Sequence, residues 1–535
     1  MSIYVGEDFT PAEADVLRRY FTNLDQPVFA LVNLPEVVKG ALFARYSRSA
    51  KSLRRLFLDE FVPDLDVRGD VTIDATMGLK RAEDLYDKVF LEYGDDSVAQ
   101  LGGVHLACEQ ASNLLTKVLE WGRLMAYLEQ STRYIPYDSR PGGRYRYFRD
   151  PAVMNSAQAT TYIVGMDGMF ETYSRLLPVL TEHIKAVHPK SAADSDFVYR
   201  QAIRAKAFDA LRGLLPAASL SNVGIYGTGQ GYEMMLLRMR SHPLPEVQLY
   251  ADMMLTELRK VIPSFLKRVD LPERGQVWSE YLASTSHNVA DIAHQLFQTQ
   301  PLEADDDTAV QLVDFDPDGE RNVVAAALYP HSSCSEGELL RRVDCMSVDE
   351  RTAVLTAEVG DRTNRRHRPG RAFERTSYRW DILSDYGAFR DLQRHRMLTI
   401  TWQRLTPNHG FTRPDLVDEA GAANDFNASM ESSAELYEAL NDRFPQQASY
   451  AVALAYRVRY NMHMNAREAM HVLELRTAPA GHPAYRRVCQ EMHRQISEVA
   501  GHHAIAAAMK FVDHSHVELE RLDAERRAES RRGAQ

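Results

Sequence analysis

A chain of 535 residues is too long for one ordinary core, and at roughly 100–200 residues per domain it asks for two or more. Hydrophobic residues at 45% and charged residues at 26% are ordinary for a globular protein, while a formal net charge of −11 excludes broad electrostatic capture of duplex nucleic acid, which needs basic surface. Cys108, Cys334, Cys345 and Cys489 are scattered without a CxxC pair, so no zinc-site spacing exists, no metal is expected, and a reducing, cytoplasmic compartment fits.

In chain order, the opening MSIYVGEDFTPAEADVL carries acids early and lacks an apolar stretch behind a basic one, so it does not read as a signal peptide. No apolar run approaches the roughly 20 residues of a transmembrane helix, and no membrane partner is expected. Apolar spacing of three and four over LTKVLEWGRLMAYLEQ (115–130) predicts a helix, as it does over REAMHVLELR (467–476). EQSTRYIPYD runs into a proline turn, where Ser131 and Arg133 suit a helix end that they cap and brace. Arg212 in LRGLLP suits a helix terminus. The glycines of GTGQG (227–231) lack the GxGxxG or GxxxxGK[ST] order, which rejects a Rossmann or P-loop reading in favour of a flexible turn. Pro301 to Gly319 combines an acidic run, an alternating segment Val310 to Phe315 and a turn, predicting a linker, a new strand and a domain boundary near residue 305. RTNRRHRPGR, six Arg or His in ten residues of an acidic protein, points to an anionic partner. In LQRHRMLTITWQ, Arg394, His395 and Arg396 cannot all face one side of a helix; the triplet reads as a solvated basic helix turn or a phosphate binder. From Glu518 the chain is highly charged and predicts a solvated, frayed helix.

The two sides of residue 305 are weakly self-similar. ALFARYSRSAKSLRRL (41–56) pairs with ALYPHSSCSEGELLRR (327–342), LEQSTRY (128–134) with TWQRLTP (401–407), and LLRMRSHP (236–243) with ELRTAPAGHP (474–483). The offsets are 327 − 41 = 286, 404 − 131 = 273 and 482 − 242 = 240. Three matches in one order indicate a duplication, with copies at 1–304 and 305–517 and a charged tail at 518–535.

These motifs resemble those of the flavin-dependent thymidylate synthase family, whose pattern is RHR followed seven residues later by SxRY. The second copy keeps RHR at 394–396 but has Arg404, Leu405, Thr406 and Pro407 in place of SxRY; the first copy keeps EQSTRY (129–134) but has Trp121, Gly122 and Arg123 in place of RHR. NRRHRPGRAFE (364–374) is similar to the family's flavin-facing segment and implicates His367 and Glu374; Asn465 and Arg467 resemble its flavin-contacting Asn-x-Arg, and Arg476 its following LR arginine. In the first copy Arg212 matches an arginine used on the nucleotide phosphate, and Arg238 fills the LR place.

The resemblance implies an α+β fold of two tandem domains, helix-rich with a sheet in each. It implies reductive methylation of dUMP to dTMP, with FAD as cofactor and methylenetetrahydrofolate and NADPH as co-substrates. No protein nucleophile is required, because the cofactor performs the difficult chemistry. Arg394, His395, Arg396, His367, Glu374, Asn465 and Arg467 would hold FAD; Glu129, Ser131, Arg133 and Arg212 would hold nucleotide. Arg133 or Arg476, with Ser131, would favour anionic character on the pyrimidine ring. The family's tetrameric sites, with two modules fused in one chain, imply a homodimer. The competing expectation is a diverged flavin- or nucleotide-binding protein on the same scaffold without synthase activity.

Overall fold

The computed structural model describes residues 4–62, 100, 102–300, 308–519 and 521–533. Its strands are β1 (Val28–Leu31), β2 (Gly103–Ser112), β3 (Met125–Glu129), β4 (Leu220–Thr228), β5 (Val310–Phe315), β6 (Ser377–Asp385), β7 (Thr399–Trp402) and β8 (Arg457–Asn465). They pair antiparallel throughout into two four-stranded sheets, ordered β1-β2-β4-β3 and β5-β6-β8-β7. The helices that position the site are α1 (Glu36–Tyr46), α2 (Leu53–Glu60), α3 (Asn113–Leu119), α4 (Asp196–Leu211), α5 (Gly229–Arg240), α6 (Pro245–Arg259), α7 (Val277–Thr299), α8 (Tyr386–Leu392), α9 (Ala466–Arg476) and α10 (Pro483–Glu498). The fold is the helix-rich α+β duplication that the motifs implied.

Backbone register fixes which residues correspond between the copies. Gln130 N donates to Asn222 O at 2.8 Å, and Gln403 N donates to Arg459 O at 2.9 Å. The offsets are therefore 403 − 130 = 273 and 459 − 222 = 237, and the first is the one at which EQSTRY aligns with the residues around Arg404. Thr228 and Asn465 cap α5 and α9 by accepting from the amides of Gly231 and Glu468, again 237 apart. Arg238 lies ten residues past its cap and Arg476 eleven, about 100° further round a helix, so these two arginines are not equivalent as the sequence pairing had them. The pairing of 41–56 with 327–342 shifts as well: helix, serine cap and helix recur at Ser52 and Ser335, an offset of 283 rather than 286.

Two other local readings change. The apolar spacing over 115–130 covers a helix and a strand, because α3 ends at Leu119 and Met125–Glu129 joins the edge of the sheet along β4. Within that strand Met125 and Glu129 are buried while Ala126 and Leu128 are exposed, an alternation that the longer helical pattern hid. GTGQG is no flexible turn: β4 ends at Thr228 and Gly229 opens α5, where a side chain at 229 would sit 2.7 Å from Phe265.

The chain divides into two compact units, Met1–Ser174 with Leu215–Glu303 and Glu431–Ala451, and Arg175–Leu214 with Ala304–Met430 and Val452–Gln535. The first holds β1–β4 and a core in which Phe21, Phe29, Leu42, Tyr46 and Phe57 pack together. The second holds β5–β8, with Tyr378, Trp380, Phe389 and Tyr460 buried about the sheet. Each unit includes a segment that chain order gives to the other copy. In the first, Tyr450 accepts from Ala218 N at 3.0 Å and donates from its hydroxyl to Glu246 Oε2 at 2.7 Å. In the second, Ala455 N donates to Gly213 O at 2.9 Å. The boundary expected near residue 305 lies outside the described residues.

The charged tail is a helix over Leu522–Gly533, but it is not simply solvated: Arg526 reaches both carboxylate oxygens of Asp194, at 2.6 and 3.0 Å, and so binds the helix beside the start of α4. A planar guanidinium matches a carboxylate in this two-point way, which charge density alone does not reveal. Among the described residues no helix is long and apolar enough to cross a membrane.

Candidate functional site

β8 hands over to α9 at Asn465, whose side chain accepts from Glu468 N at 2.9 Å. Side chains three or four apart share a helix face, so α9 presents Glu468 and His471 together. Opposite them lies the RHR triplet, which is not helical and is buried at its histidine. α8 stops at Leu392, Arg394–Arg396 turn the chain towards β7, and His395 is only 6% exposed.

His395 Nε2 accepts from Arg476 Nε at 2.8 Å, and its Nδ1 lies 3.8 Å from Glu468 Oε1. The ring meets that of His471 edge-on at 5.4 Å, and Arg368 Nη2 stands 2.9 Å from His471 Nδ1. Burial, then Arg476 and further cations, holds His395 well below the usual imidazole range. Burial followed by Arg368 lowers His471 to about 4, whereas burial raises Glu468 to about 7 against the pull of Arg368 and Arg467. The candidate ligand atoms of His395, Glu468 and His471 lie within 4.8 Å of one another. A cation there would face guanidinium groups already directed at both imidazoles, so the surroundings favour an anion.

The loop from Arg362 to Glu374 is pinned against α9 at both ends. Arg362 and Glu474 form a buried two-point pair at 2.7 and 2.6 Å, and Arg467 Nε donates to Pro369 O at 3.0 Å while its Nη1 lies 3.4 Å from Glu374 Oε1. Between these anchors His367 is exposed, its Nε2 3.0 Å from Asn364 Nδ2. Arg365 and Arg366 are exposed and have no carboxylate partner among the described residues. The structure thus brings all the expected flavin-side residues, Arg394, His395, Arg396, His367, Glu374, Asn465 and Arg467, into the second unit around α9 and its pinned loop.

The nucleotide-side residues are divided. Arg212, at the C-cap of α4, also belongs to the second unit, where its Nη1 pairs with Asp391 Oδ2 at 3.1 Å. Asp391 Oδ1 lies 3.9 Å from Arg476 Nη1, which ties Arg212 to the RHR cluster. Arg212 is buried, its Nη2 has no hydrogen-bond partner among the described residues, and it lines a cavity of about 440 Å³ with Lys206, Arg413, His482 and Arg487. In the first unit Glu129 is buried, 3.3 Å from Lys117 Nζ, which also lies 2.6 Å from Glu120. Ser131 and Arg133 do not cap a helix: Ser131 N donates to Ser47 O at 3.0 Å, and Ser131 Oγ accepts from Arg133 N at 3.3 Å within a turn. Arg238 lies over the Trp121 ring at 5.0 Å and donates to Val118 O at 3.3 Å.

The model of the family described as thymidylate synthase complementing protein matches residues 45–264 and 311–501, one stretch in each copy. The chain belongs to that family. A UPF0159 protein of Chlamydia muridarum is 38% identical over 524 residues, covering 97% of this chain and 98% of the relative. A UPF0159 protein of Thermoplasma acidophilum is 29% identical over 521 residues, covering 92% and 99%. Among solved structures, a UMP/dUMP methylase PolB from Streptomyces cacaoi bound with 5-Br dUMP is 19% identical, covering 37% of this chain and 94% of that one at a TM-score of 0.29.

In this member of the thymidylate synthase complementing protein family, the groups that support the motif residues lie outside the motifs themselves: Glu468, His471, Arg368 and Asp391. Glu468 and His471 were findable as polar residues at i and i+3 on a predicted helix. Arg368 and Asp391 were not, because their roles depend on pairings across 103 and 179 positions of sequence.

Proposed function

We propose that the chain is a flavin-dependent thymidylate synthase that converts dUMP to dTMP, with flavin-side and nucleotide-side groups divided between its copies. The observation that carries this reading is the His395–Arg476–Asp391–Arg212 chain of contacts, buried at both ends, which links the RHR cluster to the nucleotide arginine within one unit. FAD fits the donors present, since Arg365, Arg366 and Arg368 offer exposed cations to a diphosphate and Arg212 keeps an orphaned buried donor. When bound, FAD would supply the redox chemistry between NADPH and the one-carbon unit of methylenetetrahydrofolate. The chain's own residues do the rest. Arg467 and the pinned loop orient the flavin side, the neutral imidazole of His395 offers a polar edge without charge, and Arg476 fixes its direction. In the first copy Arg133 stabilises negative charge on the pyrimidine and Ser131 holds the turn that presents it.

A homodimer belongs to this reading, and α7 supports it. Trp278, Leu282, Thr285, Val289, Ile292 and Leu296 follow a 4-3-4-3-4 spacing, and Val289, Ile292 and Leu296 are each more than half exposed. The flanking positions Ser279, Tyr281, Ser286, Asn288, Ala293 and Gln295 carry no charge, so a second copy of the same helix meets no like-charge repulsion. A diverged binder without synthase activity is the second reading, favoured by Arg404 standing where Ser131 stands in the first copy. Loading the chain with FAD and measuring dTMP decides between them: dTMP formation upholds the synthase, and flavin binding without dTMP upholds the binder.

A further inference from the structure

Beyond Met509 no described residue is buried, so the last stretch of chain is held by polar contacts rather than by a core. It is fixed at two places. The first is an anchor on α10, where Gln490 Nε2 donates to Asp513 O at 2.9 Å, and Arg486 Nη2 donates to Asp513 Oδ1 at 3.3 Å and to Ser515 O at 3.0 Å. Asp513 N completes the anchor by donating to Thr477 Oγ1 at 3.0 Å. The second is a clip on the start of α4. There Arg526 takes both oxygens of Asp194, and Ser195 Oγ donates to Glu529 Oε1 at 2.5 Å while accepting from Val198 N as the cap of that helix. Glu529 thus brings a carboxylate to the positive end of α4.

Between anchor and clip the chain runs along the cavity that Arg212 lines. Ser515, His516, Val517 and Glu518 form one of its walls, whereas Asp209, Arg212 and His482, elsewhere around it, are buried parts of the same unit. The wall's own sideways contact is loose: Glu518 Oε2 lies 3.8 Å from His188 Nδ1, and the Glu518 side chain is largely exposed. The two fixings differ in strength. The anchor draws on Arg486, which is buried, but the clip depends on Arg526, whose side chain is 44% exposed. Exposed ion pairs contribute little and are screened by salt, the Debye length falling from about 10 Å at 0.1 M to about 3 Å at 1 M. The clip therefore releases before the anchor, and its release takes one wall off the cavity. One of the cavity's carboxylates, that of Glu518, is withdrawn in the same movement, which favours entry of an anion.

We propose that the C-terminal tail is a strap that controls entry to this cavity, hinged at Asp513–Ser515 and closed by the Arg526–Asp194 pair. That the entering anion is a nucleotide phosphate rests on the function proposed above; the strap does not. Its test is the reaction of phenylglyoxal with Arg212 in the full chain, read by mass spectrometry against exposed Arg365 as reference. In the unmutated chain this reaction should speed up as salt rises from about 50 mM to about 0.5 M. Arg526→Ala should speed it roughly fivefold at low salt, the upper end for an exposed pair, with little further gain from salt and an unchanged melting temperature. Glu529→Gln should give a smaller rise in the same direction. Equal rates at Arg212 in the unmutated chain and Arg526→Ala overturn the strap, as does a gain that tracks a fall in melting temperature, which would be general loosening. Stopped-flow association of dUMP keeps the two readings apart. Faster labelling without faster dUMP association upholds the strap and takes the nucleotide out of this cavity, whereas dTMP formation with unchanged labelling upholds the function and overturns the strap.

Discussion

Replacing Arg476 with alanine tests whether the RHR cluster is held from α9. The substitution removes the 2.8 Å bond to His395 Nε2 and the 3.9 Å approach to Asp391, which keeps Arg212 at 3.1 Å. A hydrogen bond from a charged donor is worth about 1.5–3 kcal/mol, and the proposed flavin site uses the His395 orientation that this bond fixes, so up to that energy, a factor of ten for each 1.4 kcal/mol, is lost from binding and FAD should bind about tenfold more weakly. The pH profile gives a second readout. His395 is depressed in the folded state, first by burial and next by Arg476, so stability linked to it is complete above the unfolded imidazole's pKa of roughly 6.5 and is lost as pH falls below it. Without Arg476 the folded-state depression shrinks but does not vanish, and the variant should lose less stability than the parent on acidification from pH 7 to 5. Flavin titration by fluorescence and urea unfolding across that range measure both. Unchanged FAD affinity together with a tenfold loss of dUMP affinity would refute the reasoning, because Arg476 would then serve the pyrimidine rather than the flavin side.

Further outcomes follow from individual contacts. Glu468 is raised to about 7, so the stability tied to its protonated form is full below its unfolded value and is lost as pH rises through 7; Glu468→Gln should flatten that decline in unfolding experiments. Glu474→Ala leaves Arg362, 2% exposed, without its carboxylate and should cost about 3–5 kcal/mol, read as a lower denaturation midpoint. Arg133→Ala should weaken dUMP by about 1.5–3 kcal/mol and leave FAD content intact; weakening by Arg404→Ala instead would place the nucleotide elsewhere. Ile292→Glu on α7 should convert a dimer to monomers in light scattering, and a parent that is already monomeric would remove the role given to that helix.

Much of this was legible in the sequence, for reasons that differ by element. β5 appeared at Val310–Phe315 as expected because strict alternation bounded by turn residues has few competing readings. α9 appeared because its apolar spacing and Asn465 cap agree. The segment 115–130 misled because Met125–Glu129 is an edge strand, and its conformation is set by hydrogen bonds to β4 rather than by local preference. Of the two readings open for the RHR triplet, the solvated turn fails at His395, which is buried with Arg476 as its partner 81 positions away. Arg212 shows the limit most clearly. Its motif was readable, but only the folded chain shows that the segment carrying it belongs with the second sheet.

The most direct test of the central claim is dTMP formation by the FAD-loaded full chain supplied with dUMP, methylenetetrahydrofolate and NADPH, compared with the Arg133→Ala and Arg476→Ala variants. A working divided site predicts flavin-dependent dTMP from the unmutated chain and little from either variant, with FAD binding weakened only in Arg476→Ala. A fully flavin-loaded chain that binds dUMP and yields no dTMP would contradict it.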